Sequence, residues 1–369
     1  MVQTHKSEVP ESTGTLSGGL ADQPGGLVMI HHAPASPQAL LEHLCGMMRT
    51  QAIHHAARLR IAELVKDGPK SVSELAEATQ THAPSLSRLL RALDSIGIFT
   101  EIEPEHFAQT PLSALLQPNV PGSMYHIALL HGDQWQWHVW EGLGYTLQTG
   151  LPTFRRLFGA DMFQYFTEHS PESANVFNNA MTGFSEQVNL PIATANYDFS
   201  SLDTLVDVGG GMGTLLTTLL KVHPTIRKGI LFDRPPVIAQ AQATVAASGV
   251  GDRCELVAGD FFERIPEGAD AYFMKQIIKD WNDDQCVQLL SRCRQAMKRG
   301  GRVLVAEIVL LPGRETSIQK FIDLQLMILS PGQERTEEEY RKLFAAAGFT
   351  LRRIVPTASP YSILEGVAA

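Results

Sequence analysis

The sequence predicts an α/β protein whose doubly wound, mostly parallel sheet ends in an antiparallel hairpin and follows an N-terminal all-helical domain with a short wing. Three observations predict it. Strand-like and helix-like segments alternate after Tyr197, a glycine-rich turn at 209–213 links an apolar strand to a helix, and a compact three-helix series occupies the region before residue 110. Strands that alternate with helices pair in parallel, because each crossover lays a helix on a face of the sheet. The 369 residues leave room for two or three domains, and 44% hydrophobic with 19% charged residues is the balance of a globular chain.

Residues 1–37 are rich in Gly, Ser, Thr, Pro and His without lasting periodicity, which reads as a flexible leader. From Gln38 the spacing becomes helical, with apolar residues at Leu40, Leu41, Leu44, Met47 and Met48, then Ile53, Ala56 and Ala57. A helix ending near Val65 and a turn at 67–69 come next. Ser71-Val72-Ser73-Glu74 then opens a second helix and Pro84-Ser85-Leu86 a third. The third carries Leu86, Leu89, Leu90, Leu93 and Ile96, stops at Gly97, and is followed by 98–100 and 107–110, which pair as a wing. That order is a winged helix.

A winged helix commonly reads DNA through its third helix, where Arg88 and Arg91 stand. The net charge of −9 argues against it, since nucleic-acid affinity rests on clustered Lys and Arg releasing counterions. The module is therefore expected to pack or dimerise, with no nucleic-acid partner. Further helical stretches run over 122–189. There Trp135, Trp137 and Trp140, with His131 and His138, either line an aromatic pocket or pack helix on helix.

Four cysteines, at 45, 254, 286 and 293, show neither a C-x-x-C pair nor metal-ligand spacing, so free thiols in a reducing compartment and no metal are expected. The N-terminus has no basic segment followed by an apolar one, and no apolar run is long enough to cross a bilayer. A cytoplasmic protein without membrane attachment is the expectation.

After Tyr197, strands are expected at 205–208, 229–233, 255–257, 271–274 and 303–306, with helices at 214–222, 236–247, 283–298 and 337–347. Two last strands, 351–355 and 361–367, flank a short Pro-containing turn and form the hairpin. The domains are thus 38–195, helical, and 196–369, a Rossmann-like sheet domain.

Asp207-Val208-Gly209-Gly210-Gly211-Met212-Gly213-Thr214 carries the most information. Glycines there let the backbone turn tightly against a ligand, and the following helix N-terminus offers free N–H groups. A dinucleotide fingerprint counted from Gly209 needs glycine at 214, where Thr214 stands; the spacing is G-x-G-x-G, the usual look of S-adenosylmethionine (SAM) binding. The next strand ends in Asp233, 24 residues beyond Gly209, where a carboxylate can accept both ribose hydroxyls. The strand after that ends in Gly259-Asp260-Phe261-Phe262. Asp207, Gly209, Gly211, Asp233 and Asp260 thereby share one carboxyl edge of the sheet.

In these segments, and in 270–281, Ala306-Glu307 and Gly332-Gln333-Glu334-Arg335-Thr336, the chain resembles the SAM-dependent small-molecule O-methyltransferases of the caffeic-acid and acetylserotonin type. The resemblance covers about residues 40–367. It implies a homodimer built through the winged-helix domain and a small-molecule acceptor, aromatic or polyketide-like, from secondary metabolism. It implies further that Gly209, Asp233, Asp260, Phe261 and Lys275 hold the cofactor with Trp281 near its adenine. On Phe177-Asn178-Asn179-Ala180-Met181, Met181 would contact the acceptor, or serve as a flexible core residue.

One position departs from the family. A histidine before Asp-Trp is its usual general base, flanked by two glutamates; here 275–281 read Lys-Gln-Ile-Ile-Lys-Asp-Trp, so Lys279 takes that place between Glu307 and Glu334. An unperturbed lysine, with a pKa near 10.4, is already protonated at pH 7 and cannot deprotonate a phenol of pKa about 10. As a cation it would hold the acceptor as an oxyanion, or polarise a substrate carbonyl in a non-methylating, pericyclase-like reaction on the same scaffold. His131 or His138 would be the alternative proton carriers.

Overall fold

The computed structural model describes residues 36–313 and 317–369, so the leader assigned to 1–37 lies, but for its last two residues, outside the described residues. The helical domain opens with helices Pro37–Leu44, Gly46–Arg58 and Ile61–Leu64; Arg60, in the left-handed region at φ 56°, separates the last two. Ser71 caps helix Val72–Thr79 by accepting the Glu74 N–H, while the Glu74 carboxylate takes the Ser71 N–H at 2.8 Å, a reciprocal capping box. Helix Ala83–Asp94 follows, and its apolar face joins Ile61, Leu75, Phe99 and Phe107 in one buried cluster.

The wing is strands β2 (Phe99–Glu103) and β3 (His106–Gln109), which pair antiparallel. A two-residue strand, β1 (Lys70–Ser71), adds to β3, so the expected wing becomes a three-stranded sheet. Two residues are too few to show alternation in a sequence. On the first two helices Leu40, Leu41, Leu44, Met47 and Met48 are each more than half exposed, an apolar stripe facing away from the core.

The main sheet contains β4 (Thr204–Val208), β5 (Lys228–Asp233), β6 (Cys254–Ala258), β7 (Ala271–Lys275), β8 (Arg302–Leu310), β9 (Arg335–Thr336), β10 (Phe349–Pro356) and β11 (Tyr361–Ala368). Its order is β6-β5-β4-β7-β8-β11-β10, with β9 alongside the end of β8. The strands from β6 to β8 are parallel, and β11 and β10 close the edge as the expected antiparallel hairpin. Alternate residues feed two cores, Leu231, Phe273 and Leu304 on one face and Phe232, Tyr272 and Val305 on the other. Both faces are covered, which is why these strands read as continuous apolar runs.

Chain order reverses between β4 and β7, and the crevice outside their carboxyl ends is where sheets of this kind take ligands. The 23-residue helix Pro171–Ala193 crosses beside this crevice: Asn189 Nδ2 donates to Thr214 Oγ1 at 2.9 Å, and Phe184 meets the Tyr361 ring edge-on. No helix among the described residues is long and apolar enough to cross a membrane.

Candidate functional site

The glycine turn leaves β4 and starts helix Thr214–Val222. Gly209 has φ 69°, so its conformation favours glycine, and a Cβ there would lie 2.6 Å from Ile277 Cδ1 and press that side chain aside. The Gly211 N–H donates to Asp233 Oδ2 at 2.8 Å, and the Arg234 N–H to Asp233 Oδ1 at 2.7 Å. Each carboxylate oxygen has a second lone pair, so Asp233 can still accept the two hydroxyls of a ribose.

Beneath the turn Asp207 is fully buried, and its Oδ2 has no hydrogen-bond partner. Burial pushes its carboxyl up to about 7, against the pull of the Lys275 ammonium. Burial in turn lowers Lys275 to about 8, although Asp207 and Glu307 favour its charge; its Nζ donates to Ser185 Oγ at 2.9 Å. An acid and an amine at one switch point suit an amino-acid moiety that brings an ammonium and a carboxylate of its own.

At the end of β6, Asp260 is exposed and its Oδ1 accepts the Phe262 N–H at 2.7 Å, closing a turn that presents Phe261 and Phe262. Both rings stand edge-on to Trp281, with centroids 5.9 and 4.7 Å away. This aromatic group, on the sheet edge that also carries Asp233, fits a nucleoside base. Glycine turn, carboxylates and rings together fit SAM.

The segment after β7 carries the other half of the site. Gln276 adopts φ 58°, its N–H bonds the Ala306 carbonyl at 3.2 Å, and its amide donates to the Tyr361 hydroxyl. The chain then enters the 3₁₀ turn Ile278–Asp280, which sets Lys279 against Glu307 of β8. Glu307 Oε1 accepts the N–H groups of Ile278 at 2.9 Å and Lys279 at 3.4 Å. Glu334 is 3% exposed and follows Gly332, which packs on the Lys279 carbonyl; its N–H bonds Asp323 Oδ1 at 2.8 Å. The structure thus brings Lys275, Lys279, Glu307 and Glu334 together around one turn.

His131 and His138 stand on helices Tyr125–Gly132 and Gln134–Glu141 with exposed surface, although burial of its ring lowers His131 below the ordinary imidazole value. Trp135 is packed edge-on against Phe154 and Phe166, and half-buried Met181 leans on the same cluster. Trp137 donates its indole N–H to the His131 carbonyl at 3.1 Å.

Sequence reasoning missed Gln276, Asp323 and Arg335. Arg335, wholly buried, binds the carbonyls of Ile278 and Trp281 and the Asp283 carboxylate, which fastens the turn under Lys279. The one available signal was its place next to Glu334.

Three buried acids make stability depend on pH. Burial raises Asp207 and Glu334 to about 7 and Glu307 to about 8, with the neighbouring Glu334 adding to the last. The folded chain therefore keeps protons that the unfolded chain releases from about pH 4.5 upward, so the contribution of these three acids is full below that point and falls as pH rises toward 8. Lys275, lowered to about 8, is protonated in both states through most of this window and offsets the slope only near its upper end. Scanning calorimetry should find a lower thermal midpoint at about pH 8 than at about pH 5.5, and a shallower slope in Glu334→Gln. A midpoint that rises across this window would contradict the assignment.

Sheets of this order that close on an antiparallel hairpin and take a nucleoside at the switch point are those of SAM-dependent methyltransferases, and this protein is of that class. Residues 140–350 match the O-methyltransferase domain and residues 41–119 the O-methyltransferase dimerisation domain, so the chain belongs to that family. It is 44% identical to the phenazine O-methyltransferase of Lysobacter antibioticus, over 88% of this chain and 94% of that protein. The crystal structure of mitomycin 7-O-methyltransferase superposes with a TM-score of 0.82 at 37% identity, covering 90% of this chain and 97% of that one. A methyltransferase of calicheamicin biosynthesis, solved with S-adenosylhomocysteine bound, gives 0.80 at 34% identity and covers 90% and 98%.

Proposed function

We propose that the protein methylates a hydroxyl oxygen of an aromatic or polyketide-like secondary metabolite, acting as a cytoplasmic homodimer joined through the winged-helix domain. One observation carries the reading: the segment 275–281 places Ile277 against the glycine turn and, two residues on, Lys279 against Glu307. Cofactor and acceptor groups are thereby held on one short stretch of backbone. The relatives' phenazine and mitomycin acceptors support the substrate class, and the exposed apolar stripe of the first helices supports the dimer.

When bound, SAM supplies a methyl group on a positively charged sulfur. The backbone at Gly209 and Gly211, with Asp233 and Asp260, would hold its ribose and adjoining atoms, Phe261 and Trp281 its adenine, and Asp207 and Lys275 its amino-acid end. Lys279 would hold the acceptor oxygen and orient it for in-line attack, with Met181 on the acceptor's far side. No ion pair of the Lys279 ammonium is present among the described residues, which leaves it available for a ligand oxygen.

Incubation with methyl-labelled SAM and a panel of hydroxyphenazines, hydroxyquinones and hydroxybenzoates tests the reading. Labelled product together with S-adenosylhomocysteine is expected; consumption of substrate without S-adenosylhomocysteine would favour the non-methylating reaction. Lys279→Met should lower kcat by about a hundredfold, the usual cost of losing one charge that stabilises an oxyanion, with SAM affinity by calorimetry unchanged.

A further inference from the structure

Glu307 and Glu334 have more hydrogen-bonding capacity than the fold uses. Glu307 Oε2 and both oxygens of Glu334 are buried without a partner, on side chains 0% and 3% exposed. Three dry, unpaired carboxylate oxygens are costly unless the pair retains a proton or meets a group that donates one. One structural acid elsewhere in the chain is treated differently. Glu365, equally buried, is surrounded by Arg302, Arg352 and Arg353.

We propose that the Glu307–Glu334 pair is the proton acceptor for the substrate hydroxyl, with Glu334 receiving the proton while Lys279 holds the oxygen. The proposal rests on the methyl-transfer reading above. Glu334 is the receiver because both its oxygens are free, whereas Glu307 has committed one to the turn that carries Lys279. In the step, the acceptor O–H bond breaks and its proton passes to a Glu334 oxygen. The electron pair left on the acceptor oxygen forms the O–CH₃ bond as the S–CH₃ bond breaks, and that bond's electrons stay on sulfur. The proton then leaves the pair for solvent.

The groups around the pair set its basicity. Lys279 on the turn, Lys275 at the end of β7 and Arg335 on β9 favour its ionised form. Asp280 on the turn and Asp323 on helix Ile318–Leu329 oppose it, and Tyr340, Tyr361 and Cys286 face it as neutral groups. Burial dominates and lifts both acids to the neutral range. A base matched to neutral pH is what proton removal from a phenol requires.

The test is a difference-infrared titration of the full chain with S-adenosylhomocysteine bound, from about pH 5 to pH 9. Protonated-carboxyl intensity should disappear across neutral pH in the natural chain; Asp207 contributes a share that remains in every variant of the pair, so the pair's share is the part lost or displaced in Glu334→Gln and Glu307→Gln and retained in Glu365→Gln. A pair with no protonated carboxyl at the acid end overturns the proposal. The second arm compares two acceptors from the panel, an ordinary phenol and a nitro-substituted phenol already ionised at neutral pH. Glu334→Gln should slow the first about a hundredfold and the second several-fold at most. Equal slowing of both overturns the role as base. The infrared arm needs no methyl transfer, so a titrating pair without S-adenosylhomocysteine production would count against the function and leave the proton site standing.

Discussion

Gly332→Ala is expected to reduce kcat at least a hundredfold, because misplacing a catalytic group by about 1 Å costs that much. A Cβ at residue 332 would lie 2.0 Å from the Lys279 carbonyl oxygen and 2.8 Å from the Asp280 carbonyl carbon. Both contacts are with backbone, so no rotamer change relieves them and the turn itself has to move. Lys279 moves with it. Glu307, anchored in β8, and the glycine turn after β4 do not depend on residue 332, so SAM affinity should fall less than tenfold by the usual scale of indirect effects. Stopped-flow kinetics with an acceptor from the panel, alongside calorimetric SAM binding, separates the two. An unchanged kcat would mean that the position of Lys279 is immaterial.

Arg335→Met should cost about 3–5 kcal/mol of stability, at about 1–3 kcal/mol for each carbonyl left without its charged donor. The Arg335 guanidinium donates to the carbonyls of Ile278 at 3.2 Å, Trp281 at 3.1 Å and Gln333 at 3.3 Å, and to Asp283 Oδ1 at 2.7 and 3.0 Å. Methionine fills the volume but supplies no donor. Asp283 is exposed enough for water to replace the lost bond, whereas the Ile278 carbonyl is buried. The thermal midpoint should drop by roughly 6–15 °C, at a few degrees per kcal/mol for a chain of this size. Arg335→Lys should recover only part, since one compact ammonium cannot serve three carbonyls that a planar fork reaches together. Full recovery by lysine would show that charge alone matters at this position.

What the sequence disclosed follows from how local each feature is. The strands from β4 to β8 were legible because both their faces are buried and their apolar runs are continuous. Gly209, Asp233 and Phe261 could be placed on the ligand edge because each lies at a strand end or within three residues past one. Helix Ile318–Leu329 was missed although its apolar residues do favour one face; of them only Ile328 is fully buried. Arg335 was missed for another reason: its partners come from segments about fifty residues away, and no local pattern announces a buried arginine. The left-handed Gln276 is likewise held by tertiary contacts, with Ala306 and Tyr361. The exposure of His131 and His138 depends on how helices pack, which one chain's periodicity leaves open.

The groups fitted to SAM sit on strand ends, whereas Met181 and the cluster around it sit on helices that touch one another through side chains. The two halves consequently differ in tolerance to mutation. A substitution at a strand end disturbs the hydrogen-bonded ladder that fixes its neighbours, but an exchange among Phe166, Phe177, Met181 and Ile328 reshapes space without breaking any backbone pairing. With Met181 on the acceptor side as proposed, selection can retune which molecule is accepted while the methyl donor's proposed berth stays constant, and directed evolution toward new acceptors should begin on the helices.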